Sequence, residues 1–106
     1  MPKYLIEASY TAEGAKGVQS GGGSARRDAV TQMVEGAGGS LESFHFAFGD
    51  NDAYVIVDVA DNETAAAIAM SVNASGAVSA RTVVLMTPEE VDAAAKKSVG
   101  YRPPGS

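Results

Sequence analysis

The chain has 106 residues, a formal net charge of −5 and no cysteine. This length fits one domain, and 45% hydrophobic residues are typical of a folded one. The few basic residues are scattered, which argues against a nucleic acid or an anionic membrane surface as partner. Without cysteine there is no disulfide or thiolate chemistry. Neither a secretion signal nor an apolar run of about 20 residues is found, so we expect a cytoplasmic protein.

The first half of the chain predicts a strand, a helix and a hairpin. Residues 4–10 have the apolar and aromatic content of a first strand. The Gly-rich stretch 11–24 is interpreted as a loop. A helical stripe then runs through Ala29, Val30, Met33, Val34 and Ala37, and the glycines that follow end this helix. Residues 41–48 and 53–59 predict strands two and three, joined by turn residues 49–52.

The second half predicts a helix, a strand and another helix. Asp61 or Asn62 caps an Ala-rich helix that reaches residue 74, and its composition predicts burial on much of its circumference. Residues 78–86 predict the fourth strand. Thr87 and Glu90 form a capping-box pattern around Pro88, so a short helix is expected to about residue 97. We expect one domain over residues 1–99 and an extended Pro-rich tail over residues 100–106.

This order predicts a fold of the α+β class. A β-α-β-β-α-β sequence with right-handed crossovers gives a ferredoxin-like, four-stranded antiparallel sheet with two helices on one face. The C-terminal helix and the extended tail are additions to it.

The hairpin assigns residues to the two faces of the sheet. With Gly49 and Asp52 closing the turn, Phe48 is expected opposite Ala53 and Phe46 opposite Val55. The apolar face, under the helices, then carries Phe44, Phe46, Phe48, Val55, Val57 and Val59. The mixed face carries Ser43, His45, Ala47, Tyr54, Ile56 and Asp58, joined by Leu5, Glu7 and Ser9 from strand one and by Arg81, Val83 and Leu85 from strand four.

A half-apolar sheet face without helices is an association surface. Two such faces packed together give a dimeric α+β barrel with a central cavity. We therefore expect a homodimer or a higher homo-oligomer.

Several short motifs resemble the GYD domain family. They are GGSLESF at residues 38–44, GDND at 49–52 and DNE at 61–63, with YTAEG at 10–14 and SGAV at 75–78. The resemblance covers roughly residues 4–90. Gly49 and Asp52 match the namesake stretch, and Asn51 stands in place of its tyrosine. The resemblance implies the dimeric α+β barrel group, which contains cofactor-free monooxygenases, isomerases, haem enzymes and proteins without known activity.

The candidate site residues lie on the mixed face. His45, the only histidine, is either a general base or a hydrogen-bonded interface residue. Tyr54, Asp58 and Arg81 are candidate ligand-binding residues, and Arg81 is the candidate partner of the Asp58 carboxylate. The alternative interpretation of Asp58 and Arg81 is a structural ion pair or a strand edge exposed to water. One histidine without cysteine predicts no metal site, and no cofactor motif is present. The glycines at 21–23 precede a helix like an anion-binding loop, but a flexible loop is the simpler interpretation.

Three functions stay open at this point. The chain is either a homo-oligomer that binds a small organic ligand between its sheets, or a cofactor-free oxygenase or isomerase of an aromatic or enol-like compound. In the third alternative it is a structural or assembly module that docks through its tail. There, Tyr101 either anchors the tail on a neighbouring subunit or straps it across its own domain.

Overall fold

Eight secondary-structure elements follow one another in the computed structural model, which describes residues 1–105. They are β1 (Lys3–Tyr10), α1 (Ala12–Gly21), α2 (Gly23–Gly36), β2 (Ser40–Phe46), β3 (Ala53–Asp58), α3 (Asn62–Ala74), β4 (Val78–Leu85) and α4 (Pro88–Ala95). The four strands form one antiparallel sheet in the order β2-β3-β1-β4. The predicted α+β, ferredoxin-like fold is confirmed.

The hydrophobic core lies between one face of the sheet and the helices α2 and α3. Its buried members are Tyr4, Val30, Val34, Val55, Val57, Val59, Ala65 and Ile68. The alternation of β3 explains the placement, because Val55 and Val57 point to the helices while Tyr54 and Ile56 point away. Tyr4 keeps its hydroxyl satisfied in this core by donating to the Asn62 side chain at 2.6 Å. This face is the covered face of the sheet.

The Gly-rich stretch after β1 is helical, so the predicted loop at residues 11–24 is wrong for most of its length. Thr11 caps α1 by accepting a hydrogen bond from the Gly14 backbone N–H. A side chain at Gly14 would collide with the Ala77 carbonyl oxygen, so this glycine allows close packing against the start of β4. Glycine therefore serves contact here, whereas composition alone indicated flexibility.

The predicted pairing of β2 with β3 is also wrong in its register. Phe46, not Phe48, lies opposite Ala53, and Phe44 lies opposite Val55, because β2 ends at Phe46 and the connection is longer than the expected turn. The pairing is displaced by two residues, so each side chain of β2 keeps its predicted face. Phe48 itself lies beyond the strand and is fully exposed.

Helix α3 is buried on one side only. Its buried residues are Ala65 and Ile68, whereas Met70 is exposed. The expected burial around most of its circumference is therefore wrong, because one layer of sheet covers a single stripe of the helix.

The side chain of Asn73 occupies part of the free edge of β4. Its amide Nδ2 donates to the Ala80 carbonyl oxygen at 3.2 Å, and its Oδ1 accepts from the Ala80 N–H at 2.7 Å. Both outward backbone groups of Ala80 are thereby satisfied by α3.

The chain beyond β4 leaves the domain. The predicted capping box between Thr87 and Glu90 is confirmed. Residues 86–105, here called the C-terminal arm, are all exposed. The radius of gyration is 16.8 Å, against about 13 Å for a compact domain of this length. The domain division at residue 99 stays a prediction, and the last tail residue, Ser106, lies outside the described residues.

None of the helices within residues 1–105 combines the length and apolar character needed to cross a membrane.

Candidate functional site

The sheet face that carries no helix presents one continuous row of polar side chains. His45 in β2, Tyr54 in β3, Glu7 in β1 and Arg81 in β4 are consecutive cross-strand neighbours. We call these four residues the polar row. Neighbouring strands lie about 4.8 Å apart, so the row spans roughly 14 Å.

A buried asparagine joins the centre of the polar row to the hairpin turn. Asn51 is 7% exposed. Its Nδ2 donates to Glu7 Oε2 and to the Tyr54 hydroxyl, each at 3.4 Å, and its Oδ1 accepts from the Ser9 hydroxyl at 3.3 Å. Because the Tyr54 oxygen acts as an acceptor here, its own proton is left to donate to another group. Asn51 thus holds two members of the polar row, Glu7 and Tyr54, in place.

An apolar row runs beside the polar row on the same face. Leu5, Ile56 and Val83 are cross-strand neighbours, and Ser43 ends this row on β2. Leu5 and Ile56 are half-buried, and Val83 is 39% exposed. The face therefore combines a hydrogen-bonding strip with a hydrophobic strip, as small-molecule sites do.

Asp58 pairs with Lys3, so the prediction that Arg81 neutralises it is wrong. Lys3 Nζ lies 3.0 Å from Asp58 Oδ1 and also contacts Glu42 Oε1. Glu42 reaches Lys3 from the bulge between Leu41 and Ser43 in β2. Hydrogen bonds to Glu42 and then to Asp58 raise the pKa of Lys3 above its usual 10.5. The register places Arg81 two rows away from Asp58.

The structure brings three of the four predicted residues into one row and separates the fourth. His45 and Arg81 occupy the two outer strands and are exposed, while Tyr54 lies between them and is half-buried. Within residues 1–105 Arg81 makes no salt bridge. Its charge is therefore available at the end of the polar row.

The sequence predicted that Glu7 lies on this face, but neither Glu7 nor Asn51 was identified as a site residue. An acidic residue inside an otherwise apolar strand was the available signal for Glu7. Asn51 carried no such signal, because an asparagine between two aspartates is ordinary turn composition.

In the described part of the chain, no cluster of three or more His, Cys, Asp or Glu side chains has an arrangement that could hold a metal ion.

A comparison with protein families matches the GYD domain over residues 4–95. Neither the curated proteins nor the solved structures gave a match. Except for Lys3, the first residue of β1, the matched segment includes all eight strands and helices of the described chain, and it includes the complete polar row. The chain therefore belongs to the GYD domain family.

Proposed function

We propose that this protein is a homodimer that binds a small organic ligand between two uncovered sheet faces. The observation that supports this most is the polar row beside the apolar row on a face without helices. A cytoplasmic location belongs to the same proposal and agrees with a sequence free of cysteine.

A second copy of the chain is the occupant that this face favours. Its apolar row of Leu5, Ile56 and Val83 would be removed from water by a matching row, which is favourable in proportion to the area buried. The face measures roughly 450 Å² from strand spacing and rise. A standard interface buries about 800 Å² on each partner. We infer that the C-terminal arm supplies the remaining contact.

The polar row defines the chemistry of the ligand. The Tyr54 hydroxyl and Arg81 offer hydrogen-bond donors, and Glu7 offers an acceptor beside them. The neighbouring apolar row suits a hydrocarbon or aromatic body. The ligand we propose therefore has an apolar body, an oxygen that accepts hydrogen bonds and a group that donates one.

Sedimentation of two matched variants tests the dimer. Val83→Lys places a charge on the uncovered face, whereas Val84→Lys places it on the next residue of β4, which is 58% exposed and points to the other face. We expect Val84→Lys to sediment as a dimer and Val83→Lys as a folded monomer. A parent protein that sediments as a folded monomer at micromolar concentration would contradict the proposal.

A thermal-shift screen of metabolites tests the ligand, followed by affinity measurements on two variants. Tyr54→Phe and Arg81→Gln each remove a donor from the polar row. We expect each to weaken binding of a hit by about tenfold. Hits whose affinity is unchanged in both variants bind elsewhere and count against this site.

A second candidate function is acid–base catalysis without a cofactor on the same row. What favours it is a potential base, Glu7 or His45, on each side of the Tyr54 hydroxyl in the row. In an isomerisation the base would take a proton from a carbon beside a carbonyl group and return it to a second carbon. Tyr54 or Arg81 would stabilise the enolate oxygen meanwhile. An oxygenase would add molecular oxygen to the same enolate.

Single variants at Glu7 and His45 test which of the two residues acts as the base. For any substrate found, we expect Glu7→Gln or His45→Ala to lower kcat by about a hundredfold or more. Ser79→Ala, which lies on the same face one row beyond the polar row, is the matched control. Rates that are unchanged in both base variants would remove this candidate.

The C-terminal arm supports the third function, docking on another subunit. Met86, Val91, Val99 and Tyr101 are exposed by 52–80%. A concavity of about 650 Å³ lies at the base of the arm, between Met1, Leu85 and Met86. Tyr101 is not buried on its own domain, which disfavours the alternative of a strap across that domain.

Truncation tests the role of the arm. Removing residues 87–106 deletes α4 and the tail and leaves the sheet and its covering helices. We expect the dimer to dissociate at least tenfold more readily, because about half of the needed interface is lost. An unchanged dimer dissociation constant would show that the arm does not contribute.

A further inference from the structure

A cavity of about 380 Å³ lies under α1, beside the covered face of the sheet. Tyr10 and Val78 form its strand side, Val18 belongs to α1, and Arg26 reaches it from the first turn of α2. None of these residues belongs to the polar row, so the cavity is independent of the proposed dimer interface.

The cavity contains a cation, Arg26, that forms no salt bridge within residues 1–105. The Arg26 guanidinium lies 5.8 Å from the centre of the Tyr10 ring. Its Nε is buried and makes no hydrogen bond within the described residues. The next residue differs, because Arg27 is exposed and forms a salt bridge of 3.2 Å with Asp28. No salt bridge within the described residues neutralises the guanidinium, and an anion bound in the cavity would do so.

Glycines keep the cavity open on the side of α1. Gly17 and Gly21 line it, and a Cβ atom added at either position would meet no other atom within 4 Å. Alanine would be a better helix former at Gly17, in the interior of α1, by about 1 kcal/mol. The helix thus carries an unfavourable residue at this position, and its effect is to leave room in the cavity.

We propose that this cavity binds a small aromatic monocarboxylate. The carboxylate accepts hydrogen bonds from the two terminal nitrogens of the Arg26 guanidinium, in a bidentate geometry that a guanidinium favours. The aromatic ring packs against Tyr10 and Val18. Glu13 also lines the cavity, and its negative charge disfavours a second charge on the ligand, so a dicarboxylate or a phosphate fits poorly. The volume lies in the lower range of small-molecule sites.

Titration with benzoate, followed by backbone amide NMR shifts, tests the proposal. We expect shifts centred on Val18, Arg26 and Val78, with a Kd below about 1 mM. Benzamide has nearly the same shape without the charge and is expected to bind at least tenfold more weakly. Inorganic phosphate is the third probe and is expected to give no saturable shifts there.

Variants distinguish the site from general attraction to the protein. Arg26→Gln removes the guanidinium and is expected to weaken benzoate binding by about tenfold to a hundredfold. Arg27→Gln changes the net charge equally and is expected to bind like the parent. Gly17→Leu fills the cavity from α1 and is expected to abolish binding, whereas Gly36→Leu fills open space at the far end of α2.

Several results would overturn the proposal. They are a benzoate Kd above about 10 mM, equal binding of benzamide, or an unchanged affinity in Arg26→Gln. Strong binding of phosphate that Arg26→Gln abolishes would show an anion site without aromatic selectivity and would also overturn it. Loss of the shifts on dilution to monomer would instead identify the cavity as part of a protein interface. The other outcomes leave the dimer proposal unaffected, since sedimentation of Arg26→Gln measures it separately.

Discussion

Adjacent residues of β3 serve two different surfaces. Val57 points to the helices and is 1% exposed, whereas Ile56 points to the uncovered face and is only half-buried. On the covered face the apolar residues of three strands meet α2 and α3 in one cluster. On the uncovered face a similar apolar row ends at solvent, and polar side chains lie on both sides of it. The difference indicates that the first face stabilises the protomer, and the second is the face to which we assign the proposed partner.

Truncation of the two neighbours is expected to separate these roles most strongly. Val57→Ala creates a cavity in the core and should lower the free energy of unfolding by about 2 kcal/mol at any protein concentration. Ile56→Ala should cost less than about 1 kcal/mol in dilute solution, because this side chain is only half-buried in the protomer. The proposed dimer predicts a larger cost at high concentration, where a second copy would cover Ile56. Urea unfolding at two protein concentrations measures both. Equal, concentration-independent losses would contradict the distinction between the faces.

The attachment of α1 to the covered side gives the next largest effect. Gly14→Ala forces a methyl group against the Ala77 carbonyl oxygen and should destabilise the protein by about 1–3 kcal/mol. Gly17→Ala, one turn later, meets nothing and should be neutral or stabilising by up to about 1 kcal/mol. Thermal unfolding compares the two. A loss in both variants would mean that α1 is packed along its whole length.

The cap of α3 is expected to give a smaller, pH-dependent effect. The Thr64 hydroxyl and backbone N–H donate to Asp61 and hold the pKa of its carboxyl below the usual 3.8. This contribution is therefore present above pH 3.8 and is lost as the pH falls through the lower folded-state pKa. Asp61→Ala should lower the urea midpoint at pH 7 and approach the parent in acid. A difference that persists at the lowest pH would point to another cause.

The ion pairs of Lys3 should give the smallest effect, since they are partly exposed. The pKa of Lys3 is raised by Glu42 and Asp58, so the stabilisation is full below pH 10.5 and disappears as the pH rises through the folded-state pKa. Lys3→Met should lower the melting temperature slightly at pH 7 and low salt, and the difference should shrink in high salt. A salt-independent difference would indicate that the methylene stem, rather than the charge, stabilises this edge of the face.

Local patterns predicted most of the architecture, because each depends on residues that are close in sequence. The stripe through Val30 and Val34 identified the buried side of α2, and the alternation in β3 assigned both faces. The predicted pairing of β2 with β3 was displaced by two residues, but the faces were still assigned correctly, since side-chain direction repeats every second residue. Membership of the GYD domain family was likewise recognisable from short motifs.

The features that sequence reasoning missed depend on residues far apart in the chain. The composition of α1 resembles a loop, because the contacts that hold this helix are made by Thr11 and Gly14 with the distant residues 76–77. The partner of Asp58 was wrong because the alignment of β1 with β3 determines which cation lies beside it. Asn51 reaches Glu7 across 44 positions, and nothing near the turn indicates that contact.

The double hydrogen bond between Asn73 and Ala80 has a consequence for aggregation. An exposed outer strand can recruit any extended peptide, since its backbone donors and acceptors are unsatisfied. Here a side-chain amide imitates the backbone of one added residue and blocks recruitment midway along β4. An incoming segment would find continuous pairing only over residues 82–85, which is half of β4. At the β4 edge the domain thus interrupts the route by which sheets grow sideways into fibres, while the apolar row of the uncovered face remains accessible.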